Sequence, residues 1–184
     1  MALIGTKKVE LGFDAPDFSL LEPKKRINSS LSNLKGNRGT LIMFICNHCP
    51  YVIHLIEKIV EVSNEYSSKG ISFIAINSND FVHYPADSPD KMIEFIDKYK
   101  IEFPYLFDET QKVAKSYMAE CTPDFNLINS DGKVVYRGRF DSSRPESDVN
   151  VNGEELIEAI DKLLSGRTQN EHQPPSMGCS IKWK

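Results

Sequence analysis

The sequence predicts a single α/β domain, a mixed β-sheet flanked by helices, and three observations support this prediction. Two short apolar runs at 41–45 and 71–76 enclose a segment with helical periodicity, which is the pattern of a parallel βαβ unit. The turn Asn-Ser-Asp-Gly at 129–132 separates two strand-like runs and predicts an antiparallel hairpin. A chain of 184 residues, of which 40% are hydrophobic, can bury one core of this kind.

Capping signals and hydrophobic spacing place the helices. A first helix is expected to begin near Pro50 and to continue to Gly70. A second begins at Ser88 and Pro89, a capping residue followed by a first-turn proline. A third is expected after Asp108, because Asp108 and Gln111 resemble a capping box, and a last helix lies between Asn152 and Gly166. The run at 103–107 predicts a further strand.

The chain divides into a domain at 1–166, which includes an N-terminal extension, and an extended C-terminal tail at 167–184. The last segment has no hydrophobic period and contains two adjacent prolines. Its apolar residues Met177, Ile181 and Trp183 offer a way for the tail to dock on the domain.

Composition and charge exclude several classes of protein. The formal net charge of −4 comes from 26 acidic and 22 basic residues that are interspersed along the chain, so we expect no nucleic-acid partner. The N-terminal stretch lacks the pattern of a secretory signal, and no stretch has the length of a membrane span, so we expect a soluble, cytoplasmic protein without a membrane partner. In that compartment a close pair of cysteines favours catalysis or metal binding over a structural disulfide.

Such a pair, Cys46 and Cys49, stands at the carboxyl end of the first predicted parallel strand. Chemistry in open α/β sheets is found at that end. A helix that begins near Pro50 would direct its first N–H groups and its dipole at the sulfurs and favour thiolate. His48 lies between the two thiols and would stabilise a thiolate when protonated, although it can equally be a solvated loop residue.

Several motifs carry a resemblance to a known family. The segments GFDAPDFSL, FICNHCPYV, CTPDFNLI, DGKVVYRGRFD and GCSIKW together resemble thioredoxin-like redoxins of the alkyl hydroperoxide reductase/thiol-specific antioxidant superfamily, and especially a peroxiredoxin-like subgroup with a CNHCPYV motif. The resemblance implies a thioredoxin-like fold and a redox-active disulfide, with no cofactor. It also implies that Cys46 is the exposed attacking thiol, that Cys49 is the buried resolving thiol, and that Thr122-Pro123 is a cis-proline segment beside them.

The sequence departs from a typical peroxiredoxin, whose P-x-x-x-T-x-x-C pattern holds peroxide together with an arginine. Counting back from Cys49 places Cys46 where the threonine should be, and counting back from Cys46 places Met43 there. The arginine position is occupied by residues 121–123, and nothing in the sequence brings Arg137 or Arg139 to the thiols. We therefore expect dithiol–disulfide exchange with protein or small-molecule disulfides and a thioredoxin-type electron donor, with peroxide as a weak further substrate.

The other two cysteines each have two interpretations. Cys121 lies beside the cis-proline and is either a candidate resolving thiol or a small core residue. Cys179, on the tail, is either a distal resolving thiol or an inert residue of a docked segment. Among the four thiols we expect Cys46 to have the lowest pKa.

Two other classes of function remain open at this point. Cys46 and Cys49 could hold zinc or copper together with His48, Cys121 or Cys179, or with a distant His83 or His172 in a copper site. The chain could also be an interaction domain with an inactive dithiol. The loop at 78–90 is long for its place, which suggests either a lid over the thiols or a surface loop.

Overall fold

The computed structural model describes residues 3–184 and contains ten strands, numbered here in chain order. They are β1 (Leu3–Gly5), β2 (Ser19–Glu22), β3 (Ile27–Ser30), β4 (Gly39–Phe44), β5 (Ile71–Asn77), β6 (Tyr105–Phe107), β7 (Cys121–Thr122), β8 (Asp124–Asn129), β9 (Val134–Gly138) and β10 (Met177–Ser180). Seven of them form the main sheet in the order β3-β2-β6-β5-β4-β8-β9. Because β4, β5 and β6 are parallel and their neighbours antiparallel, this sheet is mixed, as predicted.

Within the described part of the chain, five helices accompany the strands. They are α1 (Leu31–Leu34), α2 (Pro50–Ser67), α3 (Pro89–Tyr99), α4 (Lys112–Ser116) and α5 (Glu154–Leu164), with a 3₁₀ turn at Pro85–Asp87. The segment from β4 through α2 to β5 is the predicted parallel βαβ unit. The predicted hairpin is formed by β8 and β9, and Gly132 in its turn has φ 81°, which a side chain would disfavour.

Apolar side chains cover both faces of the main sheet. All six residues of β4 are buried, which explains why the strand continues as an uninterrupted apolar run from Leu41. Leu41 and Met43 belong to the core beneath α2, whereas Ile42 and Phe44 belong to the core of the opposite face. The strand that precedes the dithiol is therefore fixed from both sides.

The caps explain where the helices begin. Pro50 and Pro89 are first-turn prolines, and the Ser88 side chain accepts from Lys91 N at 3.4 Å. The expected capping box at Asp108 and Gln111 does not form, because Gln111 itself caps α4 in a left-handed conformation with φ 61°. The Asp108 carboxylate instead accepts from Ala114 N at 2.9 Å, one turn further along.

The tail forms part of a second, small sheet with the order β1-β10-β7. Strand β10 lies between the other two, with Cys179 opposite Thr122. The strands approach closely because residue 178 is glycine, and a Cβ at this position would collide with the Thr122 carbonyl. Ile181 is buried in the core, whereas Trp183 is 40% exposed.

No helix within residues 3–184 combines the length and the apolar character needed to cross a membrane.

Candidate active site

The dithiol lies at the carboxyl end of β4, in the turn that leads into α2. Cys49 is the N-cap residue of α2, and its carbonyl accepts from Ile53 N at 3.0 Å. Both cysteines are free thiols. The helix begins where the sequence predicted it, so the positive end of its dipole adjoins the sulfurs.

The expectation that Cys46 is exposed is wrong. Cys46 is 1% exposed and Cys49 is fully buried. The cause is tertiary: the turn is covered by the loop that follows β5 and by β7 with its neighbour β10. A substrate can reach the Cys46 sulfur only after part of this cover has moved.

Thr122 contacts both sulfurs. Its hydroxyl lies 3.2 Å from the Cys46 sulfur, and the Cys49 thiol donates to its carbonyl oxygen at 3.2 Å. Thr122 precedes Pro123 through a cis peptide bond, as the family resemblance implied. One residue thus offers a donor to the first sulfur and an acceptor to the second.

The two thiols titrate as a pair. A hydrogen bond from Cys46 lowers the pKa of Cys49 to about 5, and further hydrogen bonds come from Cys179 and from Val52 N in the first turn of α2, while burial opposes the shift. The same bond raises the pKa of Cys46, to which burial and the Asp87 carboxylate add. The two sulfurs therefore hold one proton between them near neutral pH.

The expectation that Cys46 has the lowest pKa is also wrong. In this arrangement the thiolate is better stabilised on Cys49, which receives the hydrogen bonds, than on Cys46, which faces Asp87. The contacts of Thr122 instead favour a thiolate on Cys46. Its carbonyl accepts from a protonated Cys49, and its hydroxyl can donate to an ionised Cys46. The single proton can therefore reside on either sulfur.

His48 pairs with a carboxylate that the sequence analysis did not identify. Its Nδ1 lies 2.8 Å from Asp87 Oδ2, although the N–H bond does not point straight at that oxygen. Asp87 raises the pKa of His48, and burial of the ring partly opposes this. His48 is thus held at the site by an ion pair, in contrast to the solvated alternative.

Asp87 is fully buried and organises the turn. Its carboxylate accepts from Asn47 N at 2.8 Å and from the Asn79 amide at 2.7 Å. The Tyr105 hydroxyl donates to the Asn47 side chain at 2.9 Å. A buried carboxylate of this kind persists because hydrogen bonds compensate for its desolvation.

The loop at 78–90 lies over the dithiol, as the lid interpretation predicts. The Asn47 side chain donates to the Ala86 carbonyl at 2.9 Å. The Tyr84 ring is stacked on His48 with 6.0 Å between centroids, and Lys182 of the tail lies 5.6 Å from the centre of the Tyr84 ring. Loop and tail therefore meet above the thiols.

The other two cysteines differ in their surroundings. Cys179 lies opposite Thr122 on β10, and its hydrogen-bonding groups help to lower the pKa of Cys49. Burial and the neighbouring Cys49 raise the pKa of Cys179 to about 12. The Cys121 thiol instead donates to the Pro123 carbonyl at 3.6 Å, and burial raises its pKa.

Arg137 on β9 and Arg139, which follows the strand, do not approach the dithiol. Arg137 pairs with the buried Asp124, at 3.3 Å, and Arg139 pairs with Glu155 at 2.7 Å. Burial raises the pKa of Asp124 to about 6, which Arg137 opposes. The arginine–threonine arrangement of a typical peroxiredoxin is therefore not formed by these residues.

A candidate metal-ligand set lies at the same place. One ligand atom from each of Cys46, His48 and Asp87 lies within 4.8 Å of the others. The distant histidines are engaged elsewhere, since His83 pairs with Asp80 and His172 lines a separate groove beside the N-terminal segment. Thiolate, imidazole and carboxylate form a donor set that suits zinc.

A narrow groove runs from Pro123 along the first turn of α2. It is lined by Tyr51, His54, Arg144 and Met177, among others. Pro50 lines the adjoining depression with Arg144.

Sequence reasoning missed Asp87, Tyr84 and Tyr105. A signal existed for Asp87, because the carboxyl ends of the parallel strands β4 and β5 meet at one edge of the sheet, so polar residues after β5 come close to the dithiol. No local pattern identified Tyr84 or Tyr105, whose contacts depend on how the loop closes.

Comparison with known proteins agrees with this geometry. The Redoxin family model matches residues 10–152. Thiol-disulfide oxidoreductase ResA from Bacillus anthracis is 31% identical over 132 residues, which are 70% of this chain and 69% of that protein.

Solved structures show the fold. An uncharacterized conserved protein from Geobacillus kaustophilus superposes with a TM-score of 0.97 at 48% identity, over 100% of this chain and 97% of that one. A thiol:disulfide interchange protein of the thioredoxin family from Chlorobium tepidum TLS, at 16% identity, has a TM-score of 0.64 over 85% of this chain and 99% of that one. The predicted thioredoxin-like fold is confirmed. The chain belongs to the Redoxin family and is a thiol-disulfide oxidoreductase of the thioredoxin-like type.

Proposed function

We propose that the protein exchanges disulfides in proteins or small molecules through Cys46 and Cys49. The observation that carries this proposal is the arrangement of the two sulfurs around Thr122, with one proton shared between them. A nucleophilic thiolate and an adjacent thiol that can resolve the mixed disulfide are the two groups that exchange requires.

The first step is attack by the Cys46 thiolate on one sulfur of the substrate disulfide. A bond forms between Cys46 and that sulfur, and the other substrate sulfur leaves as a thiolate, which takes up a proton. Cys49, after losing its proton, attacks the Cys46 sulfur and releases the second substrate thiolate. The substrate gains two electrons, and the enzyme keeps a Cys46–Cys49 disulfide.

Reduction of that disulfide completes the cycle. We propose a dithiol protein of the thioredoxin type as the electron donor, because it supplies two electrons by the same chemistry in reverse. A cytoplasmic location, where thiols are kept reduced, stays a prediction from the sequence.

Thr122 allows the first step to begin. When the proton resides on Cys49, the Thr122 carbonyl accepts a hydrogen bond from the Cys49 thiol, and the Thr122 hydroxyl can donate to the Cys46 thiolate. Protonated His48 adds a positive charge within 4.8 Å of the Cys46 sulfur, and Asp87 favours that protonation by raising the pKa of His48. These two residues make the buried position of Cys46 compatible with an anion.

We propose only weak peroxide reduction. The CNHCPYV motif supports a place in the peroxiredoxin-like subgroup, but Arg137 and Arg139 are paired with carboxylates elsewhere. An antioxidant role would therefore depend mainly on the reduction of disulfides in other molecules.

Exchange should exceed peroxide consumption. We expect the wild type to reduce a protein disulfide such as that of insulin with dithiothreitol, and to turn over hydrogen peroxide far more slowly. Cys46→Ser should abolish the reduction of insulin, and Cys49→Ser should accumulate a mixed disulfide between Cys46 and the substrate, because the Cys49 sulfur that resolves this bond is absent. Cys121→Ser is the matched control and should retain exchange. Rapid peroxide turnover with no exchange by the wild type would contradict the proposal.

The reduced protein should contain a thiolate at acidic pH. Absorbance at 240 nm should show a step near pH 5, because the hydrogen bond from Cys46 lowers the pKa of Cys49 to about 5. Cys46→Ala removes that donor and should raise the midpoint by about one pH unit or more, whereas Cys46→Ser keeps a donor and should raise it less.

The same titration predicts how stability depends on pH. A lowered folded-state pKa contributes stability above the unfolded pKa of about 8.5, and this contribution is lost as pH falls through about 5. The difference in unfolding free energy between wild type and Cys49→Ser should therefore shrink over that range. A wild type with no thiolate below pH 8 would contradict both expectations.

A second candidate function is the binding of a divalent metal by the reduced site, and the observation that favours it is the proximity of Cys46, His48 and Asp87. Bonds of about 2.0–2.3 Å in a tetrahedral zinc site place ligand atoms about 3.3–3.8 Å apart. Ligand atoms at the 4.8 Å limit would therefore move about 1–1.5 Å closer, whereas His48 Nδ1 and Asp87 Oδ2, which are 2.8 Å apart, would move about 0.5–1 Å apart.

Reduced protein should then bind one Zn²⁺ in equilibrium dialysis, and oxidation to the disulfide should release it. Asp87→Asn should weaken zinc binding by about tenfold or more. Asp80→Asn, which removes the carboxylate of the other histidine–aspartate pair, is the matched control and should leave binding unchanged. Equal zinc binding by both variants would exclude this site.

A further inference from the structure

We propose that Cys179 is a third redox thiol of this site. It attacks the Cys49 sulfur of the Cys46–Cys49 disulfide, so that a Cys49–Cys179 disulfide replaces the original bond. This inference rests on the proposed exchange through Cys46 and Cys49. It assigns a chemical role to the GCSIKW segment, which the exchange cycle alone does not use.

The register of the small sheet places Cys179 at the dithiol. Cys179 lies directly opposite Thr122, the residue that contacts both sulfurs. Directly opposed residues of an antiparallel pair have Cβ atoms about 4.5–5.5 Å apart on one face of the sheet. Cys179 is 5% exposed and belongs to the same core as Cys46 and Cys49.

Strand β10 lies close to β7 because residue 178 is glycine. The gap between Gly178 and the Thr122 carbonyl is too small for a side chain at position 178. On its other edge β10 pairs with β1, so the strand is held from both sides. This pairing keeps Cys179 against Thr122, whose carbonyl accepts from the Cys49 thiol at 3.2 Å.

Cys121 is the neighbouring thiol that does not fit this role. It lies one residue before Thr122, and successive side chains of a strand point to opposite faces. Its thiol is directed to the Pro123 carbonyl at 3.6 Å. Cys179 therefore faces the dithiol, whereas Cys121 points to the other face of the small sheet.

The step is an internal exchange with no net change in oxidation state. The Cys179 thiol loses its proton, and the thiolate attacks the Cys49 sulfur. The Cys49–Cys179 bond forms as the Cys46–Cys49 bond breaks, and Cys46 leaves as a thiolate that takes up the proton. No outside oxidant or reductant takes part.

The transfer changes what the oxidised enzyme can do. Cys46 again becomes a free thiol beside Thr122 and His48 while the chain still carries a disulfide. The new bond joins β10 to the start of α2. Because burial and the nearby Cys49 raise the pKa of Cys179, transfer should accelerate as pH rises.

The test uses the full-length chain in a Cys46→Ser background. After oxidation with glutathione disulfide, acid quenching and peptide mapping, Cys46→Ser should contain an intramolecular Cys49–Cys179 disulfide. Loss of the Cys49 thiol to intramolecular bonds should slow by about tenfold or more in Cys46→Ser/Cys179→Ser, and Cys46→Ser/Cys121→Ser is the matched control that should keep the bond.

The oxidised wild type provides a measurement that does not depend on any variant folding. After equilibration in a glutathione buffer above pH 8, its map should contain the Cys49–Cys179 link beside the Cys46–Cys49 link. A wild type with only Cys46–Cys49, together with a Cys46→Ser chain that forms no Cys49–Cys179 bond, would overturn this inference and leave the proposed function intact. A wild type with neither link and no exchange would overturn the proposed function itself.

Discussion

The two contacts of Thr122 with the dithiol are the constraint on which the rest of the site depends. Its hydroxyl lies 3.2 Å from the Cys46 sulfur, and its carbonyl accepts from the Cys49 thiol at 3.2 Å. The fold holds Thr122 in place from two directions. Pairing of Asp124 with Phe44 fixes the following strand beside the end of β4, and pairing with Cys179 fixes β7 beside the tail. The proton shared by the sulfurs is thus governed by long-range strand pairing.

Burial strengthens the contacts of Thr122 with the sulfurs, but it also restricts the access of a substrate to them. Inside the protein a charge interacts more strongly with neighbouring dipoles and charges than it does in water. The hydroxyl and carbonyl of Thr122, together with the His48–Asp87 pair, can therefore determine which sulfur carries the proton. The same burial closes the Cys46 sulfur to solvent. The contacts of Tyr84 with His48 and with Lys182 are aromatic and partly exposed, which suits a loop that must open for a substrate.

The features that could be predicted from the sequence are those with a local signal. The βαβ unit follows from the spacing of apolar residues, Pro50 marks the start of α2, and the Asp-Gly turn marks the hairpin. The cis peptide before Pro123 followed from the family resemblance. The burial of Cys46 and the position of Asp87 could not be predicted in the same way, because each depends on segments that are distant in sequence. Only pairing between β7 and β10 shows that Cys179 faces the dithiol.

The most direct test of this account compares Thr122→Val with Thr122→Ser. Valine has nearly the shape of threonine and keeps the backbone carbonyl, but it has no donor for the Cys46 thiolate. Because a hydrogen bond to a charged group contributes about 1.5–3 kcal/mol, the exchange rate of Thr122→Val should fall by about ten- to a hundredfold, while Thr122→Ser should stay near the wild type. Equal exchange rates for the two variants would contradict the central role assigned to Thr122.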